Sequence, residues 1–114
     1  MTTVVFTKNS SGTYMGFTCM GHAGYAKKHL LHTEPDILCA AISTLSYSTA
    51  NVLTELVGEE VDIKINEETG FFRCFFKNPP QDKSIFMMEA LLLSFRSLAQ
   101  DYGEKYLQIK FEEV

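Results

Sequence analysis

The hydrophobic positions of the chain fall into several short segments of the kind that form strands. Residues 3–8 are rich in β-branched side chains, a polar turn follows, and aromatic and apolar residues return over residues 14–20. This pattern predicts a β-hairpin. Strict alternation over residues 61–66, followed by a turn and the aromatic run 71–77, predicts a second hairpin. The alternation of residues 106–112 predicts a last strand.

Two further segments have the three- and four-residue spacing of amphipathic helices. The first is predicted to begin near Thr33, which offers a capping hydroxyl ahead of Pro35, and to end at Gly58. Its apolar face contains Leu38, Ile42, Leu45, Val52, Leu53 and Leu56. The second helix is predicted to end at Gly103. Its apolar stripe contains Ile85, Met88, Leu91, Leu92, Phe95, Leu98, Ala99 and Tyr102.

The predicted order of elements is therefore ββαββαβ. This order favours an α+β fold of two layers, in which an antiparallel or mixed sheet carries both helices on one face. At 114 residues, 46% of them hydrophobic, the chain has the length and apolar content of a single domain over residues 1–114.

The net charge and the hydropathy of the chain restrict the kinds of partner that it is expected to bind. The 10 Lys and Arg residues against 14 Asp and Glu give a net charge of −4, which argues against a broad contact with nucleic acid or anionic lipid. No stretch approaches about 18 consecutive apolar residues, as a membrane span requires. The first ten residues lack the charged start and apolar run of a signal peptide. We therefore expect a cytoplasmic protein without a membrane segment.

A histidine and a cysteine are the candidate catalytic residues of the chain. His22 follows the first hairpin, and Cys39 lies in the early turns of the first helix, so a loop can bring them together. The thiolate is the reactive form of cysteine, and an imidazole can take the thiol proton and later give it to a leaving amine. Because Cys39 comes six residues after the predicted cap Thr33, we expect the helix dipole to contribute little to its activation.

The same residues also have structural interpretations. A cysteine with apolar neighbours such as those of Cys39 is more often a buried core residue. Asp36 fits the acidic position of a capping box, and we expect it to hold the loop or to orient His22 rather than to activate the thiol. Ser43 lies one turn beyond Cys39, where its hydroxyl either bonds to its own helix or makes a polar contact in the site.

The connection between the two motifs, residues 24–35, is long and has no sustained apolar period. Connections of this length usually have a function, and we expect this one to gate access of a substrate to Cys39. The residues assigned to the gating loop are Gly24, Tyr25, Lys27, Lys28, His29 and His32.

The runs Gly21-His22-Ala23 and Asp36-Ile37-Leu38-Cys39-Ala40-Ala41-Ile42-Ser43, in a chain of this length and element order, resemble the Prp family of ribosomal-processing cysteine proteases. The resemblance implies a His22/Cys39 catalytic dyad with no cofactor, and it places Gly21, Asp36 and Ser43 at the other characteristic positions. It also implies a homodimer and, as substrate, a large-subunit ribosomal protein precursor, number twenty-seven. The short N-terminal extension of this precursor would be removed by cleavage after a pair of phenylalanines. The loop 24–35 is longer than the family's usual spacing.

Two alternatives remain open at this point. The first is a zinc site, because zinc can be bound by the side chains of Cys19, His22, His29, His32 and Cys39. Cys19 and His22, and likewise His29 and His32, are separated by two residues, which is a spacing typical of zinc ligands. A ribosome-associated interaction module without catalytic activity is the second. Cys19 and Cys74 are otherwise interpreted as small buried strand residues. The phenylalanines at positions 71, 72, 75 and 76 are interpreted as core and interface residues rather than as a substrate site.

Overall fold

The computed structural model of the protein describes residues 1–24 and 36–114. Its elements are β1 (Thr2–Lys8), β2 (Tyr14–Met20), α1 (Ile37–Asn51), β3 (Val61–Asn66), β4 (Phe71–Phe76), α2 (Asp82–Tyr102) and β5 (Leu107–Glu113). Helix α1 continues directly into a π-helical segment, Val52–Val57. The predicted order ββαββαβ is confirmed.

The five strands form one mixed sheet in the order β3-β4-β2-β1-β5. β1 pairs antiparallel with its hairpin neighbour β2, and β4 pairs antiparallel with both β2 and β3. β1 and β5 are parallel, with Val4 opposite Ile109. The first and last strands of the chain are therefore neighbours, and β3 and β5 form the two edges of the sheet.

A single apolar core lies between one face of the sheet and the two helices. The rings of Phe6 and Phe95 meet edge to face at 6.3 Å, and Phe17 stacks on Phe6 at the same distance. Burial of each such side chain stabilises the fold by about 1.5–3 kcal/mol. The helices contribute the buried side chains Leu38, Ile42, Leu53, Met88, Leu91, Leu92 and Phe95 to this core. The prediction that both helices lie on one face is confirmed.

One residue of the predicted apolar face of α1 lies outside the core. Leu56 is 78% exposed, whereas Leu38 and Leu53 are fully buried. The prediction for Leu56 was wrong because Val52–Val57 is π-helical, and a π-turn has more residues per turn than the α-helix on which the spacing argument depends. The predicted end is confirmed, since Gly58 terminates the helix with a left-handed φ of +85°.

Within the described ranges 1–24 and 36–114, one helical stretch, Ile37–Val57, is long and apolar enough to cross a membrane by length and composition. The core helix of a soluble protein meets the same criterion. Leu38, Ile42 and Leu53 of this stretch are buried against the sheet, so we interpret it as the core helix of this domain.

The N-terminus of α2 is capped by a residue that is distant in sequence. Gln81 occupies the N-cap position, but its own side chain makes no capping hydrogen bond. Instead Oε2 of Glu59 accepts the backbone N–H of Gln81 at 2.8 Å and the hydroxyl of Ser84 at 2.5 Å. Ser84 is fully buried, so its hydroxyl depends on the Glu59 carboxylate for a partner.

We predict that Glu59→Ala lowers the free energy of unfolding by about 1–3 kcal/mol, because it removes a cap and leaves the buried Ser84 hydroxyl without its partner. Urea unfolding followed by circular dichroism measures the change. The control is Glu60→Ala at the adjacent, exposed position, which should stay within about 0.5 kcal/mol of the parent protein. Equal losses in both variants would contradict the capping role.

Candidate active site

His22 lies in the turn that leaves β2, and Gly21 shapes that turn. Gly21 has a left-handed φ of +87°, and a Cβ at this position would lie 2.6 Å from the carbonyl oxygen of Met1. The hydroxyl of Thr2 donates to the carbonyl of Gly21 at 3.0 Å. Position 21 therefore requires glycine, and the backbone next to His22 is fastened to the start of β1.

Cys39 is the third residue of α1. Asp36 is the N-cap, and its Oδ1 accepts the backbone N–H of Cys39 at 3.0 Å. The predicted start at Thr33 was wrong, as was the capping-box position given to Asp36. An aspartate that reaches the N–H three residues on is itself one of the best N-caps.

The corrected helix start brings Cys39 closer to the N-terminus of α1 than the sequence predicted. Cys39 lies in the first turn of α1 rather than six residues after the cap. The positive end of a helix dipole acts within about the first turn, and this turn includes Cys39. The expectation that the dipole contributes little was based on a helix start at Thr33, which the structure replaces with Asp36.

The fold brings the predicted histidine and cysteine together. Nδ1 of His22 lies 4.0 Å from Sγ of Cys39, which is long for a hydrogen bond between a thiol and an imidazole. The backbone N–H of Ala23 donates to the same sulfur at 3.2 Å. An amide donor at this position stabilises negative charge on the sulfur.

The second ring nitrogen of His22 is held from the other side. Nε2 lies 2.8 Å from the carbonyl oxygen of Glu68, in the turn between β3 and β4. A carbonyl oxygen can only accept, so Nε2 carries the proton of this hydrogen bond. In the neutral imidazole Nδ1 is then the unprotonated nitrogen, and it faces the sulfur of Cys39 as an acceptor.

A cleft of about 420 Å³ opens beside these two side chains. Tyr47, Ile65, Phe71 and Phe72 give it apolar walls, and Asn66 adds a polar group. None of these residues was predicted from the sequence to line the site. Phe72 is buried and confirms its predicted core role, but Phe71 is only half-buried. Alternation along a strand reports which face is covered, and it does not report which covered position borders a cleft.

Of the remaining predicted site residues, the structure describes Ser43 and Gly24. Ser43 is exposed and lines the cleft, and its hydroxyl has no hydrogen-bond partner among residues 1–24 and 36–114. Gly24 has a left-handed φ of +72° at the end of the first described range. The other gating-loop residues, Tyr25, Lys27, Lys28, His29 and His32, lie outside the described residues.

The two remaining cysteines are buried, as predicted, in β2 and β4. Burial raises the pKa of both thiols, Cys19 and Cys74, to about 11. Sγ of Cys19 lies 3.3 Å from the hydroxyl of Ser46. In the described part of the chain no three potential ligands come together as a metal site, while His29 and His32 of the zinc hypothesis lie outside that part.

We predict that iodoacetamide at near-neutral pH labels Cys39 at least about tenfold faster than Cys19 or Cys74, because only thiolates react. The raised pKa values keep the two buried thiols protonated at this pH, and burial also blocks the reagent. Peptide mass spectrometry after timed labelling measures the three rates. Labelling in urea provides the control, since all three thiols should then react alike. Comparable labelling rates of the three thiols in the folded protein would contradict the assignment of Cys39 as the reactive cysteine.

The sequence of the chain is similar to those of known proteins. A sequence model of the family described as cysteine protease Prp matches residues 1–108. The ribosomal processing cysteine protease Prp of Staphylococcus aureus is 25% identical over 104 residues, which cover 91% of this chain and 93% of that protein. The protein of the same name from Bacillus subtilis is 26% identical over 96 residues, covering 79% and 80% of the two chains.

The fold also matches a solved structure. The ribosomal processing protease Prp of S. aureus, in complex with a covalently linked product peptide, superposes with a TM-score of 0.83 at 23% identity. The superposition covers 98% of this chain and 100% of that one. At this level of identity the structural likeness shows a shared fold.

Proposed function

The chain belongs to the cysteine protease Prp family, and on this premise we propose that it removes the short N-terminal extension of a bacterial large-subunit ribosomal protein, number twenty-seven. Cys39 is the nucleophile and His22 its general base in this proposal. The observation that carries it is the contact of the Cys39 sulfur with Nδ1 of His22 and the N–H of Ala23, at a helix N-terminus and beside an apolar cleft.

The proposed reaction is acyl transfer in two steps. Sγ of Cys39 attacks the scissile carbonyl carbon while its proton passes to Nδ1 of His22. The C–N bond then breaks, and the imidazolium gives that proton to the leaving amine. Water, deprotonated by His22, hydrolyses the resulting thioester and releases the new carboxylate and the thiol. No cofactor takes part in these steps.

The lining of the cleft supports a peptide with aromatic side chains as the substrate. Tyr47, Ile65 and Phe71 provide apolar and aromatic surface next to the reacting atoms. Burial of each phenylalanine of a substrate pair contributes about 1.5–3 kcal/mol, which offsets part of the cost of ordering the peptide. Aromatic side chains also prefer edge and offset-stacked contacts with other rings.

The relatives' names support the assignment of a ribosomal protein as substrate. The S. aureus and B. subtilis proteins are ribosomal processing proteases. A substrate of this kind supports a cytoplasmic location for the present protein, and the net charge of −4 favours recognition of the protein precursor rather than of RNA. Within the site, we assign Asp36 to holding the helix start and Ser43 to a polar contact with the bound peptide.

We predict that Cys39→Ala and His22→Ala each abolish cleavage of a peptide that carries the extension. The two side chains act as one unit, so the double variant should lose no more activity than either single variant. Mass spectrometry of the peptide products measures turnover, and circular dichroism shows whether the fold is kept. Turnover by purified Cys39→Ala would contradict the protease mechanism.

The same variants separate the alternatives. An interaction module without catalytic activity would bind the peptide equally well with and without Cys39, and its parent form would release no product. A zinc site would protect Cys39 from iodoacetamide until a chelator is added. A protease shows fast labelling of Cys39 that depends on His22 and is unchanged by the chelator.

The exposed faces of the helices support a homodimer. Leu56, Phe86 and Leu93 are 78%, 74% and 67% exposed, and all three belong to the helical layer. Phe86 and Leu93 are seven residues apart in α2 and therefore lie on the same face of that helix. Large apolar side chains exposed on one face are typical of surfaces that bind another protein chain. A two-fold dimer would use the same patch on both copies.

We predict a dimer mass in light scattering at micromolar concentration and its loss in Leu93→Lys, because a buried lysine without a partner is costly. The control is Ile63→Lys on the edge strand β3, where the apolar side chain is 40% exposed. Ile63→Lys should remain dimeric if the helices form the interface. A monomer mass for the parent protein would contradict the dimer, and dissociation by Ile63→Lys alone would place the interface on the sheet edge.

A further inference from the structure

The turn between β3 and β4, residues 66–70, lies against the segment that carries His22. We propose that this turn is the positioning element of the catalytic histidine, acting through the backbone carbonyl of Glu68, and that Asn66 and Gly70 are its positioning residues. The proposal rests on the proposed function of His22 as base. It assigns the orienting role, which a carboxylate fills in many catalytic triads, to a main-chain oxygen.

The side chain of Asn66 orients the backbone carbonyl of Glu68. Oδ1 of Asn66 accepts the N–H of Glu68 at 3.1 Å and the N–H of Thr69 at 3.4 Å. The hydroxyl of Thr69 donates back to the carbonyl of Asn66 at 3.3 Å. These three hydrogen bonds hold the peptide planes of the turn in one orientation, which sets the direction of the Glu68 carbonyl.

Gly70 allows the turn to approach the His22 segment backbone to backbone. A Cβ at position 70 would lie 2.6 Å from the carbonyl oxygen of Gly21 and 3.2 Å from the backbone nitrogen of His22. Gly70 also has a left-handed φ of +70°, which side chains disfavour. A side chain here would push the turn and His22 apart, and so lengthen the contact of 2.8 Å between Glu68 and the imidazole.

The contact has a chemical consequence for His22. With Nε2–H donated to Glu68, the nitrogen that faces Cys39 is the unprotonated one and can accept the thiol proton. Once His22 has taken that proton, the carbonyl dipole continues to accept from Nε2–H and stabilises the imidazolium. If the turn moves, the ring can rotate or change tautomer, and Nδ1–H would then face a thiol to which it can donate but from which it cannot accept.

The first test compares Asn66→Ala with Asn9→Ala. Asn9 makes the same kind of turn between β1 and β2, since its Oδ1 accepts the N–H groups of Ser11 and Thr13 at 2.9 and 3.0 Å. Both variants lose one asparagine-stabilised turn, but only one of these turns contacts His22. We expect Asn66→Ala to lower kcat for peptide cleavage roughly 10- to 100-fold, a larger factor than any rise in KM from its place in the cleft wall, and Asn9→Ala to leave both unchanged.

The second test compares Gly70→Ala with Gly12→Ala. The two glycines have similar φ angles, +70° and +80°, so each substitution brings similar local strain. A Cβ at Gly12 meets nothing within 4 Å, whereas one at Gly70 meets the His22 segment. We expect only Gly70→Ala to lower kcat. Equal losses in the two variants would show that strain alone, rather than the contact with His22, is responsible.

A third measurement does not depend on proteolysis. The ¹⁵N chemical shifts of the His22 ring should show the Nε2–H tautomer in the parent protein and in Asn9→Ala, and a mixture of tautomers in Asn66→Ala. The rate at which iodoacetamide labels Cys39 should acquire a different pH profile in Asn66→Ala alone. An Nδ1–H tautomer in the parent protein, or equal behaviour of Asn66→Ala and Asn9→Ala, would overturn the positioning role.

The results distinguish failure of this inference from failure of the proposed function. If the parent protein cleaves no peptide but His22 keeps the Nε2–H tautomer and loses it in Asn66→Ala, the turn positions His22 and the proposed protease function is wrong. If the parent protein cleaves the peptide and Asn66→Ala does so equally well with an unchanged pH profile, the protease function stands and the turn has no positioning role.

Discussion

Leu38 and Ile42, in the first two turns of α1, are buried against the sheet, and this burial determines where the helix begins relative to the strands. Side chains of this size are held tightly in a close-packed core, so the helix N-terminus cannot slide along the sheet without opening a cavity. Cys39 lies between them in sequence and is carried to the edge of the core. The position of the nucleophile candidate therefore follows from the packing of its apolar neighbours.

The environment of each thiol separates the three cysteines into two kinds. Cys19 and Cys74 lie in the interior of the sheet, where burial penalises the thiolate and raises the pKa of each. Cys39 is half-buried at a helix N-terminus, with an amide donor and an imidazole beside its sulfur. The same side chain thus serves as a small buried apolar residue at two positions and is the candidate nucleophile at a third, because the surroundings differ.

Main-chain groups make much of the site. The Gly21 carbonyl accepts from Thr2 at the start of β1, the Glu68 carbonyl in the β3–β4 turn accepts from His22, and the N–H of Ala23 donates to the sulfur of Cys39 in α1. Close backbone approaches of this kind require glycine at positions 21 and 70, where a Cβ would collide with a carbonyl oxygen. His22 is exposed, so these backbone contacts, rather than burial of the ring, hold it near the sulfur.

The sequence by itself determined the order of elements and the end of the first helix at Gly58, because periodicity and helix-stop residues are local properties. It offered His22 and Cys39 as a candidate pair, which the family resemblance selected among other interpretations. The tertiary structure decided that Asp36 starts the helix and that a π-turn exposes Leu56. It also decided which cleft-lining side chains meet Cys39, and it brought the Glu68 carbonyl to His22 from a residue 46 positions away. A backbone carbonyl is present at every position and leaves no mark in the sequence, so its contact with a distant imidazole exists only once the strands have paired.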